Sequence, residues 1–209
     1  YKEELGLGLD YPVIVAGSTH PTEEETLFQS FLEIRKEFPK ARLIIAPRKP
    51  GRVHEISRLA EKYGLSLGLR SVLKDTSSPR PRYQVVLIDT IGELGRGYSH
   101  GDLIFVGSSL AHIGGHNILE PAAHGKPIVV GPNMFNFVEI FELLSRHGAC
   151  VMVNNEEEFV DTCLDILVNP DRAEAMKRNC IAVVRENQGA TRKNLDKLQE
   201  MLESIQTGR

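Results

Sequence analysis

Five short, uninterrupted apolar runs constrain the fold of this chain more than any other feature. Each is continuous rather than alternating, which is typical of a strand in a parallel sheet that is covered on both faces. The runs are Val13 to Ala16, Leu43 to Ala46, Val85 to Ile88, Leu103 to Val106 and Ile128 to Val130. Two weaker runs, Leu65 to Leu69 and Cys150 to Val153, predict further strands.

Amphipathic segments between these runs predict helices. Thr22 and Glu25 have the spacing of a capping box, in which Thr22 caps the helix and Glu25 reaches back. Apolar stripes at helical spacing then end before a proline or glycine, at Pro39, Gly64 and Gly148. The last third, from Asn155 to Ile205, is predicted to be mostly helical. The alternation predicts an α/β fold with a doubly wound, Rossmann-like parallel sheet flanked by helices.

The chain is predicted to form one domain over residues 1–209. The segment from Thr76 to Arg82 is rich in Ser, Pro and charge, but the strand pattern continues on both sides of it. We therefore expect a surface loop within one domain rather than a linker. Because the chain begins with Tyr1 rather than Met, we expect it to be a piece of a longer protein.

Composition excludes several classes of protein. The net charge is −3 at pH 7, so the overall charge gives no indication of nucleic-acid binding. The three cysteines are odd in number and lack CxxC spacing, which predicts reduced thiols in a cytosolic protein. No apolar run approaches the ~20 residues that span a bilayer, and no signal-peptide pattern is present.

Polar clusters follow four of the predicted strands, at the sheet edge where open parallel sheets bind ligands. The first two are Gly17 to His20 and Ala46 to Pro50. Ser18 and Thr19 offer hydroxyl and N–H donors to a phosphate or carboxylate, and Arg48 offers a planar fork to a phosphate. The alternatives are a plain turn with a helix cap and an ordinary surface arginine.

The third cluster, Asp89 to Leu94, combines a strand end with a helix start. It directs N–H groups toward the same edge, at Ile91, Gly92 and Glu93. These groups can bind a base or a phosphate. The alternative is a plain helix N-terminus, in which acidic residues suit the helix dipole.

The fourth cluster lies between Ile113 and Phe137. Gly114 and Gly115 allow positive φ and close approach to a ligand. Asn117 stands where a helix begins, so its side chain either caps the helix or contacts phosphate. Glu120 shares a helical face with Asn117, and its carboxylate suits two ribose hydroxyls. The alternative is that Glu120 is only the capping-box partner of Asn117.

Metal and hydrolase patterns are absent from the sequence. There is no HExxH, no paired Cys/His set, no Asp-x-Asp and no GxSxG. His112 and His116 are four residues apart, but the two glycines between them disfavour a helix. We therefore expect neither a metal nor a cofactor.

With these residues in hand, the sequence resembles the C-terminal half of bacterial lipid A Kdo transferases, which are GT-B glycosyltransferases. Kdo is the eight-carbon keto-deoxy sugar acid attached to lipid A. The matching motifs are GSTHPTEEE from Gly17, APRKP from Ala46, IDTIGELGRGYSHGDLIFVGSSL from Ile88 and IGGHNILEPAAHGKPIVVGPNMFNF from Ile113. The family more often has His in place of Lys49, Glu-Gly in place of Pro21-Thr22, and Gly in place of Ser108.

The resemblance implies that CMP-Kdo is the sugar donor and that this domain binds its nucleotide. It implies that Glu120 binds the ribose. The residues that match the family's nucleotide contacts are Pro47 and Arg48, then Ile91, Gly92 and Glu93, then Asn117, Ile118, Leu119 and Glu120.

The resemblance also implies a reaction, in which Kdo passes to a sugar hydroxyl of a lipid A precursor. Arg48 and helix-terminal N–H groups would stabilise the charge on the departing phosphate. In this class the general base is an acidic residue of the N-terminal acceptor domain, which this chain lacks, so we expect no catalytic residue here. The implied partners are CMP-Kdo and, through the missing domain, the lipid A precursor and the cytoplasmic face of the bacterial inner membrane.

Two other interpretations stay open. The chain could be the donor domain of another GT-B glycosyltransferase, or of a sugar-nucleotide epimerase, that uses a UDP-sugar or GDP-sugar. It could also be a nucleotide-binding domain that has kept this fold without catalysis.

Overall fold

The computed structural model describes residues 4–7, 11–74 and 82–188, and strands in these ranges form one seven-stranded sheet. The strands are β1 (Val13–Thr19), β2 (Arg42–Pro47), β3 (Leu67–Leu69), β4 (Val85–Leu87), β5 (Leu103–Val106), β6 (Ile128–Val130) and β7 (Cys150–Met152). Their order is β3-β4-β2-β1-β5-β6-β7, and every pairing is parallel. All five strong runs and both weaker runs are therefore confirmed as strands.

Helices connect the strands, as the amphipathic segments predict. Those in the described ranges are α1 (Glu23–Glu37), α2 (Val53–Lys62), α3 (Arg70–Lys74), α4 (Leu94–His100), α5 (Leu119–Ala123), α6 (Val138–Arg146), α7 (Glu156–Val168) and α8 (Pro170–Asn187). The helical last third is confirmed as far as Asn187. Residues 189–209 and most of the loop predicted over Thr76 to Arg82 lie outside the described residues.

Both faces of the sheet are covered, because alternate residues of a buried strand point to opposite faces. In β1, Val15 enters one core cluster and Ile14 enters the other. Helices α1, α2 and α7 pack on the Ile14 face, whereas α3 to α6 pack on the Val15 face. Helix α8 contributes to both, through Met176 and Cys180. The doubly wound α/β fold is confirmed.

The three cysteines are buried and free. Burial raises the pKa of the thiols of Cys150 and Cys163, and it raises that of Cys180 to about 12. The thiols are therefore protonated at neutral pH and pack as small apolar side chains. Of the described helices, none is both long and apolar enough to cross a membrane.

The capping box predicted at the start of α1 is wrong. Thr22 has a φ of 79° and makes no side-chain capping hydrogen bond. The Glu25 carboxylate points away from the helix start and accepts hydrogen bonds from Lys62 and Tyr63. The glutamates that do act near this end of the helix are Glu23 and Glu24, which bond both to the neighbouring His20 and Thr19 and to residues far away in the sequence.

The strand order reverses at β1, because β2 lies on one side of it and β5 on the other. Open α/β sheets bind ligands in a crevice beyond the carboxyl ends of their strands at such a switch point. The loops after β1 and β5 flank this crevice. The fold therefore brings the first and fourth polar clusters to its two sides.

Candidate functional site

A buried glutamate joins the loops that follow β1 and β5. Glu23 is 1% exposed, and its carboxylate accepts the backbone N–H groups of residues 108–111 at 2.7 to 3.2 Å. It also accepts the N–H of His20 at 2.9 Å. Five donors around one carboxylate are the partners of an ionised group. Glu23 therefore fixes the two loops as one unit.

A second buried glutamate, Glu24, holds the beginning of the β1–α1 loop. It accepts the hydroxyl of Thr19 at 2.8 Å and pairs with Arg52 at 2.6 Å. The Thr19 hydroxyl is thus engaged within the protein. Ser18 and Thr22 have φ values of 56° and 79°, in the left-handed region that non-glycine residues rarely adopt. Strain of this kind persists only where the surrounding structure holds it, as the two glutamates do here.

Arg48 follows β2 and faces solvent. Its backbone N–H donates to the carbonyl of Thr19 at 2.9 Å, which ties the end of β2 to the end of β1. Its guanidinium forms no hydrogen bond or ion pair with another described residue. Pro47, the residue before it, is the buried last residue of β2. The structure therefore presents one exposed arginine fork at the crevice.

The third cluster lies between β4 and α4. Ile91 is 90% exposed, and Gly92 has a φ of 84°. The N–H groups of these two residues donate to no other described residue. The Glu93 carboxylate accepts Nε and Nη2 of Arg70, which is 2% exposed, at 3.1 and 3.0 Å. The Glu93 side chain thus anchors the loop, and the loop presents N–H groups to solvent.

The two glycines of the fourth cluster have the predicted positive φ, 107° at Gly114 and 77° at Gly115. A Cβ on Gly114 would lie 2.1 Å from Nδ2 of Asn136, and one on Gly115 would lie 2.4 Å from Sδ of Met134. Asn136 Nδ2 also donates to the carbonyl of Ile113 at 3.0 Å. The close approach that glycine permits here is between two loops of the protein.

Asn117 stands one residue before Ile118, the N-cap of the short helix α5, and its side chain forms a local turn there rather than the predicted helix cap. Its Oδ1 accepts the N–H of Leu119 at 2.9 Å. Ile118 is fully buried and Leu119 is 37% exposed. The start of α5 is therefore held by the hydrogen bond from Leu119 to Asn117 and by the burial of Ile118 in the core.

Glu120 remains open to solvent. Its carboxylate forms no hydrogen bond or ion pair within the described part of the chain, so the capping-box alternative has no bond to support it there. Its Oε1 lies 3.0 Å from the point where a Cβ on Gly95 of α4 would stand. Tyr98 also lies in α4, and the pKa of its hydroxyl is raised by burial and then by the negative charge of Glu120. Glu120 thus lies beside the helix that follows the third cluster.

Two histidines complete the contacts among the clusters. The rings of His20 and His116 are stacked, with centroids 6.3 Å apart and an interplanar angle of 24°. Burial, then the charges of Arg48 and His20, lower the pKa of His116. The first and fourth clusters therefore meet at this pair, which also feels the charge of Arg48 from the second cluster, and Glu120 of the fourth cluster lies beside the helix that follows the third.

Sequence reasoning missed four residues that shape this site. They are Glu23, Arg70, His20 and His116. A run of three glutamates and the histidine of GSTH were visible signals, but their partners were not. Ser108 adopts a φ of 61°, a conformation that glycine takes readily and that suits the glycine of the resembling family. Within the described residues, no three His, Cys, Asp or Glu side chains are grouped to hold a metal.

Comparison with solved structures decides the family. The chain is 30% identical to the C-terminal CMP-Kdo binding domain of WaaA from Acinetobacter baumannii, with a TM-score of 0.79 over 88% of this chain and 93% of that domain. The chain belongs to the Kdo transferase family. It has the fold of the C-terminal half of a GT-B glycosyltransferase.

Sequence comparison supports the same membership in the Kdo transferase family. The 3-deoxy-D-manno-octulosonic acid transferase of Haemophilus influenzae is 34% identical over 195 residues, which is 93% of this chain and 45% of that protein. The chain therefore spans about half the length of the curated relatives it matches. No family model matches the chain.

A more distant structure shares the fold alone. HepE from Anabaena, solved in complex with UDP and glucose, is 15% identical, with a TM-score of 0.68 over 97% of this chain and 51% of that chain. The architecture is thus common to proteins whose sequences have diverged widely, and the fold alone does not specify the ligand.

Proposed function

We propose that this chain, as one domain, binds CMP-Kdo and forms the donor half of a transferase that passes Kdo to a lipid A precursor. The observation that carries the proposal is the similarity to the CMP-Kdo binding domain of WaaA, which extends over 93% of that domain. The site motifs expected from the sequence lie within the same fold.

We propose a partner of suitable chemistry for each part of CMP. Arg48 is exposed and unpaired among the described residues, so it can hold the phosphate with two parallel hydrogen bonds. The N–H groups of Ile91 and Gly92 have no acceptor in the described structure, and they suit a base or a phosphate oxygen. The open carboxylate of Glu120 suits the two ribose hydroxyls.

The proposed reaction needs charge stabilisation at the departing phosphate. When the bond between Kdo and CMP breaks, negative charge develops on that phosphate, and Arg48 and nearby N–H groups would stabilise it. The acceptor hydroxyl must lose its proton to a base, which we expect in the N-terminal domain. We accordingly propose that this chain alone binds the donor but transfers no sugar. The lipid A precursor and the cytoplasmic membrane surface would be met by the other domain.

The proposal is tested by titrating the chain with CMP, UMP and AMP in a calorimeter. We expect CMP to bind more tightly than either other nucleotide. Equal affinities, or a preference for UDP or GDP when these are added to the series, would contradict the proposal and favour another donor. A transfer assay with CMP-Kdo and lipid A precursor on the full-length protein then separates an enzyme from a binding domain.

A further inference from the structure

The pair formed by His20 and His116 has no part in the nucleotide contacts described above. The two residues come from different strand ends, β1 and β5, and they meet only in the folded chain. Both side chains are partly buried. His20 is carried by the strained segment bounded by Ser18 and Thr22, and its backbone N–H is held by Glu23.

The histidine pair lies beside the exposed arginine. The N–H of Arg48 is bonded to Thr19, the neighbour of His20, and the Arg48 charge contributes to the lowered pKa of His116. The nearest carboxylate along the chain, that of Glu23, already accepts hydrogen bonds from five backbone N–H groups. Three nitrogen-rich side chains therefore share this part of the crevice.

One nitrogen of the pair has no partner. Nε2 of His116 is buried, and it finds no hydrogen-bond acceptor or donor among the described residues. Buried polar atoms are nearly always hydrogen-bonded, so an unpaired one calls for an explanation. Burial is also the first cause of the lowered pKa of His116, which makes this ring uncharged near neutral pH. An anion placed at the pair would favour the charged form of the ring.

The proposed donor carries two anions close together. Kdo is a 2-ulosonic acid, so its carboxylate is attached to the anomeric carbon. In CMP-Kdo the same carbon bears the oxygen of the phosphate. A site that holds the phosphate at Arg48 must therefore accommodate a second negative group within a few bonds of it.

We propose that His20 and His116 form the subsite for this carboxylate, next to the phosphate at Arg48. The inference rests on the proposed function and deepens it, because it names the groups that distinguish a sugar acid from a neutral sugar. Each imidazole can offer an N–H donor to a carboxylate oxygen. The pair therefore supplies specificity for the sugar acid, while Arg48 serves the nucleotide.

The test uses three ligands on the 209-residue chain. They are CMP, the phosphonate analogue of CMP-Kdo in which a methylene replaces the bridging oxygen, and the uncharged carboxamide of that analogue. The unaltered chain should bind the carboxylate analogue more tightly than the carboxamide. His20→Ala and His116→Ala should each lower affinity for the carboxylate analogue by about tenfold, while CMP affinity stays nearly unchanged.

The surface histidine His54 on α2 provides the control, and His54→Ala should leave all three affinities unchanged. If an alanine variant fails to fold by circular dichroism, His20→Gln or His116→Gln replaces it, and partial loss of the carboxylate preference is expected. Equal losses for CMP and the carboxylate analogue would overturn the inference, because the pair would then contact the phosphate. Unchanged affinities for all three ligands would overturn it as well. Absence of CMP selectivity in the unaltered chain would instead count against the proposed function.

Discussion

Two glutamates at the same edge of the sheet have opposite surroundings. Glu23 is 1% exposed and accepts five backbone N–H groups. Glu120 is exposed and forms no hydrogen bond or ion pair with another described residue. The comparison extends to the cations, because Arg70 is buried against Glu93 whereas Arg48 is open to solvent. This edge of the sheet therefore has two kinds of polar residue, those that hold loops together and those that remain open to solvent.

The largest expected effect is on stability, and it follows from replacing Glu23, the glutamate that holds the two loops. Glu23→Gln replaces an acceptor of five N–H groups by an amide that has one acceptor oxygen and brings its own N–H donors. We expect the free energy of unfolding to fall by about 3 kcal/mol, because buried donors lose a charged partner. Urea unfolding followed by circular dichroism measures the change.

The neighbouring Glu25 supplies the matched control for that variant. Its carboxylate lies in the same helical turn but pairs with Lys62 and Tyr63 at the surface, so Glu25→Gln should change stability little. If the two variants were equally stable, the five hydrogen bonds of Glu23 would not hold the loops, and the distinction between the two kinds of residue would fail.

The next largest expected effect is on CMP affinity, and it follows from replacing the exposed Arg48. Arg48→Ala removes a charged hydrogen-bonding group, so we expect CMP affinity to fall about 10–100-fold in calorimetry. Stability should stay the same, because the side chain has no partner among the described residues. Lys49→Ala, at the exposed next position, should have a much smaller effect on CMP. An unchanged CMP affinity in Arg48→Ala would remove Arg48 from the proposed site.

The smallest expected effect is at Glu120 and depends on the sugar of the nucleotide. Glu120→Ala should weaken CMP binding by roughly tenfold and should abolish the preference for CMP over 2′-deoxy-CMP, because the carboxylate is proposed to accept the ribose hydroxyls. Glu157→Ala, an exposed glutamate in the first turn of α7, is the control. A preference for CMP that survives in Glu120→Ala would show that another group binds the ribose.

The strands and their parallel direction were predictable, because a continuous apolar run indicates a strand buried on both faces whichever strands lie next to it. The position of Leu67–Leu69 outside Val85–Leu87 was not, because strand order depends on how connections cross the sheet. The positive φ of Gly114 and Gly115 was also predictable from residue type alone. Their packing against Met134 and Asn136 was not.

The capping box failed for a related physical reason. The pattern at Thr22 and Glu25 describes a local exchange of hydrogen bonds, whereas residues 108–111 offer four N–H groups to the same helix start from 85 to 88 positions away. A local pattern cannot report such donors. For the same reason the sequence contains His20 and His116 but gives no sign that their rings stack.

The hydrogen bonds of Glu23 also bear on the order of folding. Contacts separated by this many residues form only after a large loop has closed, so they depend on the sheet being largely assembled. We therefore expect the loop that follows β5, which leads into Gly114 and Gly115, to become ordered only after the first helix has packed against it.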